Sequence, residues 1–241
     1  MKVGFFDSGS WAYHVRDSFL VHNPDIETIV YADYENCPYW DRECEEIIAL
    51  TKKWVSHLFD QWCDVVILAC NTASVHALRH LQNTLPKHQR ILGVTYPACE
   101  AVRDGNFKNV LVISTDATKK SWIYTHYIHQ IAWNKVWVIN ISIPWLVQAI
   151  ESNNTSEQQN LIRGALHRIP DKNRDIDAII LGCTHYPIIT GTFEEIKNEF
   201  PQLEQASIID PWMEAAKWFI FWREKHFDLN CTVWDSGKKP L

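Results

Sequence analysis

The sequence predicts an α/β protein made of two similar parallel-sheet domains with the active site in the cleft between them. Three observations lead there. Short apolar runs alternate with longer amphipathic stretches, the pattern of strand-then-helix units. One strand-and-cysteine segment recurs later in the chain. The length of 241 residues suits one large domain or two small ones.

The strands are expected, in order, at Lys2–Phe6, Thr28–Ala32, Asp64–Ala69, Ile91–Val94, Asn109–Ile113, Val136–Ile141, Asp177–Leu181 and Ser207–Ile209. Among the helices between them, Ile47, Leu50, Trp54, Val55 and Leu58 recur at helical spacing, and Ser74–Leu85 follows a strand directly. The stretch 151–156 reads as a polar loop between helices. Asp210 and Pro211 read as the cap and first residue of a final helix. Its Trp212, Trp218, Phe219 and Trp222 put apolar surface on more than one face, for burial between elements or, as the alternative, for a homodimer surface.

The recurrence aligns Asp64-Val65-Val66-Ile67-Leu68-Ala69-Cys70-Asn71-Thr72 with Asp177-Ala178-Ile179-Ile180-Leu181-Gly182-Cys183-Thr184-His185. Each copy has an acid, a buried strand, a small residue and a cysteine at the carboxyl end. In open α/β sheets that end is where ligands bind.

Composition narrows the function. The net charge of −6 and the absence of a Lys/Arg run leave no footprint for nucleic acid. No apolar stretch reaches the ~18 residues of a membrane span, and Asp7 interrupts the start too early for a signal peptide, so a cytoplasmic protein is expected. Seven cysteines without a CxxC pair argue against a disulfide framework or zinc ribbon. There are 12 Trp but only 8 Gly, where average usage of ~7% would give roughly 17.

Two thiols flanking one cleft suit inversion at a carbon centre: one takes a proton from one face and the other returns a proton to the opposite face. Cys70 precedes a helical pattern, so free N–H groups and the helix dipole should stabilise its thiolate. Cys183 has His185 two residues on as a proton partner. Cys37, Cys44, Cys63, Cys99 and Cys231 lack such a setting and read as packing or surface thiols.

Motifs run nearly end to end: Phe6-Asp7-Ser8-Gly9; Ala32-Asp33 with Pro38-Tyr39; Ala69-Cys70-Asn71-Thr72-Ala73-Ser74; Thr115 to Ser121; Pro144-Trp145-Leu146-Val147 leading to Ile150-Glu151; Leu181-Gly182-Cys183-Thr184-His185-Tyr186-Pro187; and Ile209-Asp210. In these the chain resembles the glutamate racemases of the cofactor-independent aspartate/glutamate racemase superfamily. The resemblance implies interconversion of L- and D-glutamate, supplying D-glutamate for peptidoglycan, with no cofactor and no metal. It implies Cys70 and Cys183 as acid/bases, Asp7 assisting Cys70, and His185 and Glu151 on the Cys183 side. Ser8, Asn71, Thr72, Thr115, Thr118 and Thr184 would donate hydrogen bonds to the substrate carboxylates, with backbone N–H groups at Pro38-Tyr39-Trp40. Only Tyr39 and Trp40 of that trio carry an N–H. It also implies a first domain of residues 1–95 plus 209–241 and a second of 96–208.

Each residue also has a plainer role. Ser8, Thr72, Thr184, Thr118 and Ser121 suit helix caps, Asp7 a turn and Glu151 a helix end.

The chain departs from the family pattern where glycines are usual. After Asp7-Ser8-Gly9 it reads Ser10-Trp11-Ala12-Tyr13-His14-Val15 in place of x-Gly-Gly-Leu-x-Val, and the family's Pro-Tyr-Gly is Pro38-Tyr39-Trp40. Tyr96 stands where an acid is common. The alternatives are a racemase of aspartate or another small acidic amino acid, a binding or inhibitory homologue without turnover, and a cysteine hydrolase using one thiol.

Overall fold

The computed structural model describes residues 1–9, 11–133, 135–170 and 174–226; Ser10 and Cys231 lie outside them. Two four-stranded parallel sheets make up the frame. The first holds β1 (Lys2–Asp7), β2 (Glu27–Ala32), β3 (Val65–Leu68) and β4 (Arg90–Gly93) in the order β2-β1-β3-β4. The second holds β5 (Asn109–Ser114), β6 (Trp137–Ser142), β7 (Ala178–Gly182) and β8 (Ser207–Ile209) in the order β6-β5-β7-β8. All eight coincide with the expected runs to within a residue or two.

The echo has a physical basis. Asp64 accepts the Lys2 N–H (2.7 Å), and Asp177 accepts those of Lys108 and Asn109 (2.6 and 2.8 Å). In each sheet the acid before the third strand holds the start of the neighbouring central strand. Asp64 therefore lies just outside β3, spending its side chain on that bond.

The helices are α1 (Ala12–His22), α2 (Cys44–Asp60), α3 (Asn71–Thr84), α4 (Thr95–Asp104), α5 (Asp116–Ser121), α6 (Ile123–Ile131), α7 (Leu146–Glu151), α8 (Thr155–Leu166), α9 (Thr190–Lys197) and α10 (Pro211–His226). α3 starts earlier than its apolar periodicity suggests, because the Cys70 sulfur caps it by accepting the Ala73 N–H (3.4 Å). The polar stretch is shorter than expected: Glu151 ends α7, and Asn154 caps α8 through the Glu157 N–H (3.2 Å).

Each sheet is covered by apolar clusters on both faces. Phe5, Phe19 and Ile67 lie on one side of the first sheet, with Phe6, Leu58 and Leu68 on the other. Leu111, Ile141 and Leu181 lie on one side of the second, with Val110, Tyr124 and Ile180 on the other. Ile209 pairs with Ile180 in the second sheet, and the chain crosses back from Asp210. Asp210 accepts the Trp212 N–H (2.8 Å), capping α10 one residue ahead of Pro211. α10 packs on α1 and α4, burying Trp212, Ala216, Phe219 and Trp222 while Phe221 faces outward.

Both sheets reverse strand order between their two central strands. Such switch points open a crevice at the carboxyl ends of the strands. β1 and β3 deliver Asp7-Ser8 and Cys70 to one; β5 and β7 deliver Thr115 and Cys183 to the other.

Candidate active site

Cys70 and Cys183 end equivalent strands and are both buried. A Cβ on Gly182 would come within 3.0 Å of the Ser114 side chain and 3.1 Å of Tyr124, so glycine lets β7 carry Cys183 close to its neighbours.

On the first sheet, Ser8 Oγ and Cys70 Sγ are 3.3 Å apart. Asp7 accepts the Gly9 N–H at 2.8 Å, while its Oδ2 is buried with no hydrogen-bond partner. Burial raises the Asp7 carboxyl to about 7, against the lowering pull of the Gly9 N–H and the Thr184 side chain. Asp7 thus titrates near neutrality, in the range useful for proton exchange with a thiol.

The helix-terminus expectation for Cys70 needs correction. Its thiol is pushed up to about 12: burial dominates, Asp7 adds to it, and the hydrogen bonds from Ser8 and Ala73 recover only part. A cap inside a dry cleft does not offset the cost of burying the charge. Burial raises the Cys183 thiol likewise, with Cys70 and Asp7 adding to the effect.

On the second sheet, Cys183 Sγ lies 3.8 Å from His185 Nδ1, and His185 Nε2 lies 3.0 Å from Glu151 Oε1. Burial lowers the His185 pKa, and Glu151 pulls it partly back. Neutral His185 therefore donates from Nε2 to Glu151 and accepts at Nδ1 from the Cys183 thiol. The His185 bond in turn holds the half-exposed Glu151 below the usual carboxylate range. The Trp11 indole helps from nearby without meeting hydrogen-bond geometry. Trp11 and Trp40 stand edge-on to His185 at ring distances of 5.0 and 6.4 Å.

Hydroxyls bridge the two sheets. Thr72 Oγ1 is 3.4 Å from Thr115 Oγ1, which donates to Thr118 Oγ1 (3.2 Å). Thr115 also caps α5, accepting the Thr118 N–H. Asn71 accepts from the Tyr124 hydroxyl (2.6 Å), leaving its buried Nδ2 without a partner.

Of the residues singled out from sequence, Asp7, Ser8, Cys70, Thr184, Cys183, His185 and Glu151 form one cluster; Asn71, Thr72, Thr115 and Thr118 line the adjoining seam. Tyr39 differs, because its hydroxyl turns away to donate to Asp33 (2.8 Å) in the core, which leaves only its backbone for a ligand. Pro38 precedes it on the same loop. Two organising residues were not foreseen. Asp33 collects donors from Asn36, Tyr39 and Trp54, and Tyr124 reaches Asn71 from 53 residues away. The Ala32-Asp33 motif was a signal for the first; nothing in the sequence pairs Tyr124 with Asn71.

Two buried thiols at equivalent strand ends, Cys70 beside Ser8 and Cys183 beside His185, suit an isomerase of the racemase class. A family model described as Asp/Glu/Hydantoin racemase matches residues 21–217. The chain belongs to that family. It is 35% identical over 207 residues to a glutamate racemase of Jannaschia sp., covering 80% of this chain and 76% of that one. It is 32% identical over 224 residues to one from Cereibacter sphaeroides, covering 87% and 82%. Among solved structures, glutamate racemase from Francisella tularensis in complex with D-glutamate superposes with a TM-score of 0.83 at 28% identity, over 96% of this chain and 84% of that one. A Bacillus anthracis glutamate racemase isoform gives 0.83 at 26%, over 98% and 85%. No helix among the described residues is long and apolar enough to cross a membrane.

Proposed function

We propose that the chain racemises glutamate without a cofactor, using Cys183 and Cys70 as the two acid/bases, and supplies D-glutamate for peptidoglycan in the cytoplasm. The observation that carries this is the pair of buried thiols at matching ends of the two sheets, Cys183 in line with His185 and Glu151, and Cys70 within the field of the Asp7 carboxyl. The domain division 1–95 with 209–241 and 96–208 belongs to the same reading, with two adjustments: Ile209 closes the second sheet, so the return segment starts at Asp210, and 227–241 lie outside the described residues. The glutamate substrate follows the relatives, one of which was solved with D-glutamate.

From L-glutamate, Cys183 passes its proton to His185 Nδ1, and Glu151 steadies the resulting imidazolium. The Cys183 thiolate then takes the α-proton, and the Cys70 thiol delivers its own to the opposite face. The product is D-glutamate, with Cys70 left as thiolate, Cys183 as thiol and His185 as imidazolium; as the product leaves, the extra His185 proton passes to solvent and Cys70 takes one back, restoring the starting state. In the reverse direction ionised Asp7 receives the Cys70 proton to start. The substrate ammonium offsets the thiolate charge. Ser8, Asn71, Thr72, Thr115, Thr118, Thr184 and the backbone at Tyr39 and Trp40 hold the carboxylates with neutral donors.

The test is incubation with L-glutamate, and separately L-aspartate, in deuterated water. Loss of optical activity together with loss of the α-proton signal is expected for glutamate. Retention of both would overturn the proposal.

A further inference from the structure

Six non-glycine residues among those described hold a left-handed backbone: Asn106, Asn153, Trp62, Trp122, Trp133 and Trp145. Asparagine is an ordinary occupant of that region, whereas a bulky aromatic is an outlier. The turns identify what each position was built for. α4 ends with the Asn106 N–H on Arg103 O (2.9 Å) and the Phe107 N–H on Val102 O (3.1 Å). α7 ends with the Asn153 N–H on Ile150 O (3.0 Å) and the Asn154 N–H on Ala149 O (2.9 Å). α2 repeats the pair, with the Trp62 N–H on Phe59 O (2.9 Å) and the Cys63 N–H on Leu58 O (3.3 Å). This helix ending takes glycine, sometimes asparagine, at its left-handed residue.

Trp122 ends α5 with φ 56° and its N–H on Lys119 O (3.2 Å); Trp133, also at φ 56°, follows α6. Residues 143–146 form a turn closed by the Leu146 N–H on Ile143 O (3.4 Å), with Pro144 second and Trp145 third at φ 68°, ψ −5°. Proline then glycine is the signature of that turn. The indoles gain no burial in return: Trp62, Trp122, Trp133 and Trp145 are 87, 60, 82 and 70% exposed. The shortage of roughly nine glycines against average usage accompanies the surplus of tryptophan.

We infer that the protein made in its own cell carries glycine at 62, 122, 133 and 145, and at 11 and 40 in the active site, through a codon that one genetic code reads as tryptophan and another as glycine; UGA is such a codon. Not every tryptophan belongs to the set. Trp54 donates to Asp33 (2.8 Å) and stacks on Tyr31, and so uses its indole fully. Trp11 does not, for its Nε1 is buried without a hydrogen-bond partner. Trp11 and Trp40 both crowd His185 from the first sheet. Glycine at both removes two rings from the Cys183 side and opens that space to a dicarboxylate, while the backbone N–H groups stay. Positions 11 and 40 thus set the room available to substrate. This consequence rests on the glutamate reading; the four turn positions do not.

Peptide mass spectrometry of the protein isolated from its own cells should read glycine at 62, 122, 133 and 145; tryptophan there overturns the inference. Three recombinant chains give a second measure: the tryptophan chain, one with W62G, W122G, W133G and W145G, and one that adds W11G and W40G. The four-glycine chain should unfold at higher temperature and higher urea; an equal or lower midpoint overturns the assignment of the turns. The six-glycine chain should racemise L-glutamate faster than the four-glycine chain by on the order of tenfold or more. No gain on any amino acid overturns the assignment at 11 and 40. Deuterium exchange into another amino acid but not glutamate refutes the substrate reading and leaves the glycine assignment standing.

Discussion

Asp7→Asn isolates the energetic consequence of burying a carboxyl between two thiols. The Asp7 carboxyl moves from 3.8 to about 7 on folding, chiefly by burial. A group whose folded pKa lies above its unfolded value gives stability that is present at low pH and lost as pH rises through the folded pKa. At about 1.4 kcal/mol per pH unit, some 4 kcal/mol is lost in all, about 3 kcal/mol of it between pH 5 and pH 8. The neutral amide of Asn titrates nowhere in that range. Urea unfolding of both proteins across that range should show the native chain losing about 3 kcal/mol relative to the variant, with no further divergence at higher pH. Parallel stability profiles would refute the burial argument, and racemisation by the variant at the native rate would remove Asp7 from the proton path.

Cys70→Ser and Cys183→Ser should each lower racemisation by ~10²–10⁴-fold or more. The enantiomers are equal in free energy, so kcat/KM must fall equally in both directions. Deuterium exchange without inversion should become one-sided, surviving with L-glutamate in Cys70→Ser and with D-glutamate in Cys183→Ser; near-native racemisation by either variant would make that cysteine structural. Glu151→Gln removes the group that raises the His185 pKa, so the imidazole titration followed by NMR, and the acid limb of kcat/KM, should shift to lower pH. Asp33→Ala strands the Tyr39 hydroxyl and the Trp54 indole N–H, and should cost roughly 2–4 kcal/mol in urea unfolding. It should also raise KM for glutamate more than it lowers kcat, because the loop carrying Trp40 loses its anchor.

The strands were legible because buried parallel strands are continuous apolar runs, and the duplication because the acid and the cysteine recur at fixed offsets around them. Asp64 and Asp177 show why the echo extends past the strands: both hold backbone N–H groups of a neighbouring strand. Cys70 and Cys183 were legible for the same topological reason, since each follows a central strand, whereas Asp7, Glu151 and the surrounding hydroxyls were reached only through the resemblance of their motifs to the family. Long-range side-chain choices were not. Tyr39 sits in a motif that points to the ligand, yet its ring is spent on Asp33. The thiol acidities were misjudged because sequence reveals the helix terminus but not the depth of burial, and depth decides the sign.

Those raised thiol pKa values bear on chemical durability. With the Cys70 thiol at about 12, only about one molecule in 10⁵ carries a thiolate there at pH 7 in the unliganded protein. Oxidants and electrophiles attack thiolates, so the idle protein is the resistant form. The same burial that silences the sulfur when the cleft is empty leaves its basicity to be awakened by an incoming ammonium group. Exposure to peroxide therefore threatens the protein chiefly while it turns over, and the relevant lifetime is counted in catalytic cycles rather than hours.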